Sequence, residues 1–112
     1  MLKINNMFLP NEKNVVPLEG ELDLQVSPDI AARLNELIMD KPPRLVVDLS
    51  RVTYIDSSGL AVLINAMQSV EDYGGLFALA GVQESVRAIF ESARLDQVFL
   101  TYPHVDAALA AI

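Results

Sequence analysis

The chain has 112 residues, a formal charge of −7, no cysteine and a single histidine, His104. A hydrophobic fraction of 52% predicts one globular domain over residues 1–112. These numbers exclude disulfides, thiol nucleophiles and multi-histidine metal sites, and argue against nucleic acid or an anionic membrane surface as partners. No stretch has the apolar length of a signal peptide or a membrane span, so we expect a cytoplasmic protein.

The first residues predict a β-hairpin. Two apolar runs, Lys3–Leu9 and Val15–Leu22, flank a turn that we assign to Asn11 and Asn14. Pro17 lies inside the second run. Because proline donates no backbone hydrogen bond, this strand should have an edge position or a bulge there.

The next segments predict a helix followed by a strand. Ser27-Pro28-Asp29 marks the helix start, with Ser27 as its cap, and Lys41-Pro42-Pro43 marks the helix end. Leu45–Leu49 predicts a buried strand, which Tyr54-Ile55-Asp56 would extend after a bend.

The remaining chain alternates in the same way. The predicted elements are a helix from Ser57 to Gly74-Gly75, a strand at Leu76–Ala80, a helix at Glu84–Ala93, a strand at Gln97–Thr101 and a helix at Val105–Ile112. The order β-β-α-β-α-β-α-β-α predicts an α/β domain. Its central sheet should be mixed but mostly parallel, with four to five strands and helices packed against it.

The second helix has a predicted core stripe, formed by Leu60, Leu63, Ile64, Met67 and Val70. Val62 and Ala66 lie off this stripe together with Asn65. We therefore expect these three residues on the surface, where they could form a face that binds a partner.

The segment Asp56-Ser57-Ser58-Gly59-Leu60 carries the chemistry. At a strand-to-helix junction, unpaired amides and the helix dipole attract negative charge, so a phosphate on Ser57 would meet free amides. The same residue types also form an ordinary N-cap, and spacing alone leaves both readings open. A serine hydrolase is disfavoured, because there is no Gly-x-Ser-x-Gly and His104 is distant; a Walker loop is absent.

Leu45–Ser50 followed by Tyr54–Leu60 resembles the signature of STAS domains, and more closely that of bacterial anti-sigma factor antagonists. Gly20-Glu21-Leu22-Asp23 is similar to the family's segment before its first helix, and Gly74-Gly75 to its break after the second. Residues Gly81 to Phe99 are similar to its C-terminal helix and strand. The resemblance covers nearly the whole chain.

The resemblance implies a binding regulator that is not an enzyme and has no cofactor, metal or catalytic residue. The unphosphorylated domain would bind an anti-sigma factor, usually also a serine kinase, and so free a sigma factor. The kinase would phosphorylate Ser57 and end binding, and a Ser/Thr phosphatase would restore it. We expect a monomer or a weak dimer.

The implied partner surface extends from the phosphoacceptor turn along the second helix. Its residues are Asp23, Asp56, Ser58, Gly59, Val62, Asn65 and Ala66. Between Val52 and Val86 the chain has four acidic residues and no Lys or Arg, whereas the family's second helix often carries basic residues. Either the partner surface is more basic than usual or the partner is a different one. The N-terminal segment matches the family poorly, so the first strand should be short or irregular. Two other functions stay open: a STAS subunit that docks an ATPase in a lipid or solute transport complex, and a nucleotide-binding regulatory domain.

Overall fold

The computed structural model describes residues 3–4, 7–9 and 13–112, and within them strands and helices alternate as predicted. The elements are β1 (Lys3–Ile4), β2 (Met7–Leu9), β3 (Lys13–Leu22), α1 (Ser27–Met39), β4 (Arg44–Ile55), α2 (Ser57–Asp72), β5 (Leu76–Ala80), α3 (Glu84–Ser92), β6 (Thr101–Tyr102) and α4 (Val105–Ala111). The predicted α/β class is confirmed.

One mixed sheet has the order β1-β3-β4-β5-β6, and β2 also pairs with β3. β3, β4, β5 and β6 run parallel, whereas β1 and β2 run antiparallel to β3. The predicted mixed, mostly parallel sheet is therefore confirmed. The first predicted strand, Lys3–Leu9, corresponds to β1 and β2, which pair with β3 in one continuous register; residues 5 and 6 lie outside the described residues.

The predicted turn residue Asn14 is instead part of β3. It pairs with Phe8 on one side and with Leu45 on the other, and its side chain is buried. The assignment of Asn14 to the turn is wrong, because pairing on both sides extends β3 back to Lys13; Asn11 lies outside the described residues. The register shifts after Pro17, which confirms the bulge and not the edge position, since β3 has neighbours on both sides.

β4 continues without a break to Ile55, as its predicted extension requires, and contains both register shifts. Leu49 and Ser50 together stand opposite Leu18, and Thr53 is an extra residue between the pairs of the second shift. The inward side chains of Leu49, Val52 and Ile55 consequently recur at every third residue. Two irregularities therefore lie between Leu45–Leu49 and Tyr54–Asp56, where the sequence predicts a bend.

The part of β4 beyond β5 is held by the start of α3. Pairing between the two strands ends at Asp48 and Ala80. Farther along β4, the Gln83 side-chain amide donates to the Ser50 carbonyl at 2.7 Å, and the Ser85 hydroxyl donates to the Thr53 carbonyl at 3.1 Å. Side chains thus replace the missing strand partner, and the strand stays extended as far as Asp56.

The two faces of the sheet are covered unequally. Helices α1, α2 and α3 bury one face in the larger core, while α4 packs on the other face, over the small side chains of Ala78 and Ala80. Among the described residues, no helix combines the length and apolar character needed to cross a bilayer.

The last predicted strand, Gln97–Thr101, is mostly wrong. Only Thr101–Tyr102 is strand, and residues 96–98 form a turn. Phe99 is 6% exposed, and its ring lies 5.5 Å from that of Phe90 and 6.4 Å from that of Phe77. Burying this ring requires a turn after α3, and strand pairing begins only beyond it.

Candidate functional site at two neighbouring helix starts

Asp23 and Asp56 lie at the same edge of the sheet, because each directly follows one of two parallel, paired strands. Leu22 and Ile55, the last residues of β3 and β4, are register partners. The Asp56 amide then donates to the Leu22 carbonyl at 3.1 Å. This edge, outside the carboxyl ends of parallel strands, is where open α/β sheets commonly place their binding sites.

The carboxylate of Asp56 accepts four hydrogen bonds. Its Oδ1 accepts the amides of Ser58 at 2.9 Å and Gly59 at 3.1 Å, together with the Ser58 hydroxyl. Its Oδ2 accepts the Leu24 amide at 3.0 Å. The Ser58 hydroxyl and then the Gly59 amide hold the pKa of Asp56 below its usual range. Asp56 is therefore the N-cap of α2 and links that helix start to the turn before α1.

The expectation of free amides at this helix start is wrong for three residues. The Ser58 and Gly59 amides donate to the Asp56 side chain, and the Leu60 amide donates to the Asp56 carbonyl at 2.9 Å. The cap already occupies the positions where a phosphate would bind. A phosphate on Ser57 would therefore lie beside an ionised carboxylate.

Asp23 forms a more local turn. Its Oδ1 accepts the amides of Gln25 at 3.0 Å and Val26 at 3.3 Å, and its carbonyl accepts the Ser27 amide at 2.9 Å. The predicted capping role of Ser27 is wrong, because Val26 occupies the N-cap position. The Ser27 hydroxyl is buried and donates instead to the Asp23 carbonyl at 2.7 Å.

A short chain of hydroxyls joins the two turns. Ser27 Oγ and Ser58 Oγ are 2.9 Å apart. The Ser27 hydroxyl already donates to the Asp23 carbonyl, and the Ser58 hydroxyl donates to the Asp56 carboxylate. Neither the carbonyl nor the ionised carboxylate can donate a hydrogen bond in return. Two hydroxyl hydrogens thus serve three short contacts, and the contact between the serines has no hydrogen of its own.

Gly59 allows α2 to begin this close to β3. A Cβ atom at this position would lie 2.6 Å from the Leu22 carbonyl oxygen and 2.7 Å from Ile55 Cγ1. Gly59 is buried, and its part in binding a partner stays a prediction. The two serines before it differ, since Ser57 is exposed and Ser58 is half-buried.

The predicted partner face of α2 is narrower than expected. Ala66 is 4% exposed, so the expectation that it lies on the surface is wrong. Helix α1 packs along α2, and α2 is therefore covered on two sides, by the sheet and by α1. Val62 is half-buried and packs against the core, whereas Asn65 is exposed as predicted.

Sequence reasoning missed Leu24, an apolar side chain at this edge that is 72% exposed. Its backbone is fixed by the hydrogen bond to Asp56. The available signal was a leucine directly after Asp23, in a segment predicted to be a loop and therefore outside any core stripe. Within the described part of the chain, no three His, Asp or Glu side chains are grouped so that they could hold a metal ion.

Comparison with known proteins gives a family for this fold and site. The sequence pattern of the STAS domain matches residues 8–108. The chain belongs to the STAS domain family. The matched range includes Asp23, Asp56 and the Asp-Ser-Ser-Gly turn that opens α2.

The chain is similar to proteins named anti-sigma factor antagonists. It is 26% identical over 99 residues to the anti-sigma F factor antagonist of Paenibacillus polymyxa, covering 88% of this chain and 85% of that protein. The crystal structure of an anti-sigma factor antagonist from Mycobacterium paratuberculosis is 28% identical, with a TM-score of 0.90, covering 100% of this chain and 94% of that one. A Thermotoga neapolitana protein that carries the name of an anti-sigma factor antagonist homologue is 33% identical over 69 residues, covering 62% of this chain and 61% of that protein.

Proposed function

We propose that this STAS domain is an anti-sigma factor antagonist that is switched by phosphorylation of Ser57. Its unphosphorylated form binds an anti-sigma factor that is also a serine kinase, and so frees a sigma factor. The supporting observation is the exposed Ser57 hydroxyl, one residue after a fixed Asp56 cap. The relatives named above favour this function over a subunit of a transport complex.

The geometry favours Ser57 over Ser58 as the phosphoacceptor. The Ser58 hydroxyl donates to Asp56 and contacts Ser27, so transfer of a phosphoryl group to Ser58 would first break its hydrogen bond to Asp56. Ser57 is exposed, and a kinase can reach its hydroxyl while the cap stays intact.

The phosphate acts on the interface and leaves the fold in place. A phosphoserine adds about −1.5 to −2 charges, here next to the ionised Asp56, whose cap has already taken the nearby amides. Like charges juxtaposed in an interface cost several kcal/mol. A loss of about 4 kcal/mol weakens affinity roughly a thousandfold. This change is large enough to dissociate the complex without a new backbone conformation.

The partner presents Lys or Arg to this edge. Asp23 and Asp56 lie here, and the segment from Val52 to Val86 has only acidic charges. We expect the association rate to fall as salt rises, because charge steering is screened beyond about 8 Å at physiological ionic strength. Stopped-flow mixing at low and high salt measures this, and equal rates would contradict it.

The deciding experiment first identifies the partner and then maps the phosphate. The tagged chain is used to capture proteins from its native lysate, the captured anti-sigma factor kinase is purified, and both proteins are incubated with ATP and magnesium. Mass spectrometry should place the phosphate on Ser57. Ser57→Ala should bind without release, Ser57→Asp should bind weakly, and Ser58→Ala should still be modified at Ser57.

Two results would contradict the proposal. One is phosphate on another residue, and the other is capture of a transport ATPase without any anti-sigma factor. Amide chemical shifts of the two forms test the mechanism separately. Changes confined to residues around Asp23 and Asp56–Leu60 support a local block, whereas changes throughout the sheet and α3 would show a conformational switch.

Three further features complete the proposal. A Ser/Thr phosphatase removes the phosphate, the protein acts in the cytoplasm, and it works as a monomer or a weak dimer without catalysing a reaction itself. Sedimentation of the purified chain tests its oligomeric state. Incubation with labelled ATP in the absence of kinase tests whether it has any nucleotide chemistry of its own.

A further inference from the structure

We propose that Leu24 is the apolar anchor of the partner interface and that it fits an apolar pocket on the anti-sigma factor with Lys or Arg at its rim. This inference rests on the proposed function and identifies the contact by which the domain recognises its partner. Leu24 is 72% exposed, so nearly all of its side chain is available for burial in a complex.

The backbone that carries Leu24 is held in place before any partner arrives. The Leu24 amide donates to Asp56 Oδ2 at 3.0 Å. The next three residues are fixed through Asp23, which accepts the amides of Gln25, Val26 and Ser27. Since the backbone of this turn is already ordered, binding at Leu24 costs little additional backbone entropy.

The hydrogen bond also places Leu24 beside the switch. Asp56 binds the Leu24 amide with one carboxylate oxygen and caps α2 with the other, and Ser57 is the next residue. Leu24 and Ser57 are thus both directly connected to Asp56, and we expect a partner that encloses Leu24 to meet a phosphate on Ser57 at the rim of the same contact.

The chemistry of the pocket follows from the charges around Leu24. The neighbouring charged residues are Glu21, Asp23 and Asp56, and all three are acidic. The nearest cation along β4, Arg51, lies 3.9 Å from Glu19 and is paired. A complementary pocket is apolar at its centre and basic at its rim.

An exposed leucine is not unusual by itself, and the chain offers a matched control. Met39, the last residue of α1, is 80% exposed. It is as apolar and as accessible as Leu24, but it lies at the opposite end of α1 from the phosphoacceptor turn. If exposure alone determined binding, both side chains would matter equally.

The test compares three variants of the full chain: Leu24→Ser, Leu24→Met and Met39→Ser. Calorimetry measures their affinity for the anti-sigma factor kinase captured by the unphosphorylated chain. We expect Leu24→Ser to weaken binding about 10- to 100-fold. Leu24→Met and Met39→Ser should stay within about threefold of the wild type. Thermal melts should be unchanged, since both sites are exposed, which separates lost contact from lost fold.

The outcomes distinguish this inference from the proposed function. Suppose that the wild type binds the anti-sigma factor and releases it on Ser57 phosphorylation, while Leu24→Ser binds equally well. The anchor role of Leu24 would then be wrong, and the proposed function would stand. Equal losses in Leu24→Ser and Met39→Ser would also overturn the anchor, because they would indicate a nonspecific apolar effect. If the wild type binds no anti-sigma factor, both proposals fail.

Discussion

Asp23 and Asp56 lie at one edge of the sheet, and each precedes a helix, yet they bind differently. Asp23 accepts amides only from residues 25–27, within its own turn. Asp56 caps α2 and also accepts the Leu24 amide, 32 residues away in the chain. One aspartate shapes a local turn, and the other joins two turns, so damage to Asp56 should spread farther.

The difference also bears on the proposed phosphorylation of Ser57. Ser57 sits beside the aspartate with the larger set of contacts, and its own hydroxyl stays exposed. The hydrogen bonds of Asp56 hold the backbone around Ser57 in position, but they do not involve the Ser57 hydroxyl. Each of the following changes tests how far the two turns differ, beginning with the largest expected effect.

Gly59→Ala should be the most damaging change, since only the Asp56 turn requires a residue without a Cβ. The added atom would lie 2.6 Å from the Leu22 carbonyl oxygen. We expect a loss of about 2–3 kcal/mol in the free energy of unfolding, measured by urea denaturation. Gly74→Ala is the control: it has no atom within 4 Å but a φ of +83°, and should lose about 1 kcal/mol. Equal losses would refute the steric account.

Replacing each aspartate compares the two turns directly. We expect Asp56→Ala to lower the melting temperature by about 6–8 °C and Asp23→Ala by about 3–4 °C, because the second change removes contacts from a single turn. Calorimetry measures both values. A larger loss in Asp23→Ala would reverse the ranking proposed here. Amide exchange at Leu24 should accelerate in Asp56→Ala, which follows from the broken link between the turns.

The stability contribution of Asp56 should depend on pH in a defined direction. Its pKa is lowered in the folded protein by the Ser58 hydroxyl and the Gly59 amide, relative to an unfolded value of about 3.9. The contribution is therefore complete above about pH 4 and is lost as the pH falls through the lower, folded pKa. In thermal melts, the gap in melting temperature between the wild type and Asp56→Asn should be constant from pH 7 to about 5 and should narrow below about pH 4. A gap that narrowed near neutral pH would contradict this assignment.

The contact between Ser27 and Ser58 should give the smallest effect. Ser27→Ala and Ser58→Ala each remove one donated hydrogen bond, worth about 1 kcal/mol. Since the 2.9 Å contact between them has no hydrogen of its own, their coupling in a double-mutant cycle should stay below about 0.5 kcal/mol. A larger coupling would mean that a hydrogen is shared between the two hydroxyls.

Local patterns predicted most of the fold. Leu76–Ala80 matches its predicted bounds to the residue, and Pro17 indicates the bulge that follows it, because a short apolar strand and a proline both leave a pattern in neighbouring residues. Asn14 and Gln97–Thr101 were misassigned. Asn14 is set by pairing on both sides, and the turn after α3 by the burial of Phe99. Such distant contacts leave no local pattern.

The candidate site likewise has features that local patterns predict and features that they do not. The capping role of Asp56 and the exposure of Asn65 follow from helix geometry. The burial of Ala66 depends on α1, and the fixing of Leu24 depends on a carboxylate from another strand. Both are contacts between elements, so neither could be predicted from spacing. For Ser57, the strand-to-helix junction left a phosphate site and an ordinary N-cap both open, and only the resemblance to the family favoured phosphorylation.

The two irregularities in β4 also determine where this protein can gain or lose a residue. A deletion among Leu45–Asp48 would shift every later side chain to the opposite face of the sheet. Loss of Ser50 or Thr53 would instead remove one of the two irregularities and still leave Ile55 inward, since neither residue has a separate partner in β3. Related domains that differ in length should therefore differ here. Such shortened versions would keep Asp56 in place but lose the carbonyl that Gln83 or Ser85 binds, and should show compensating changes at the start of α3.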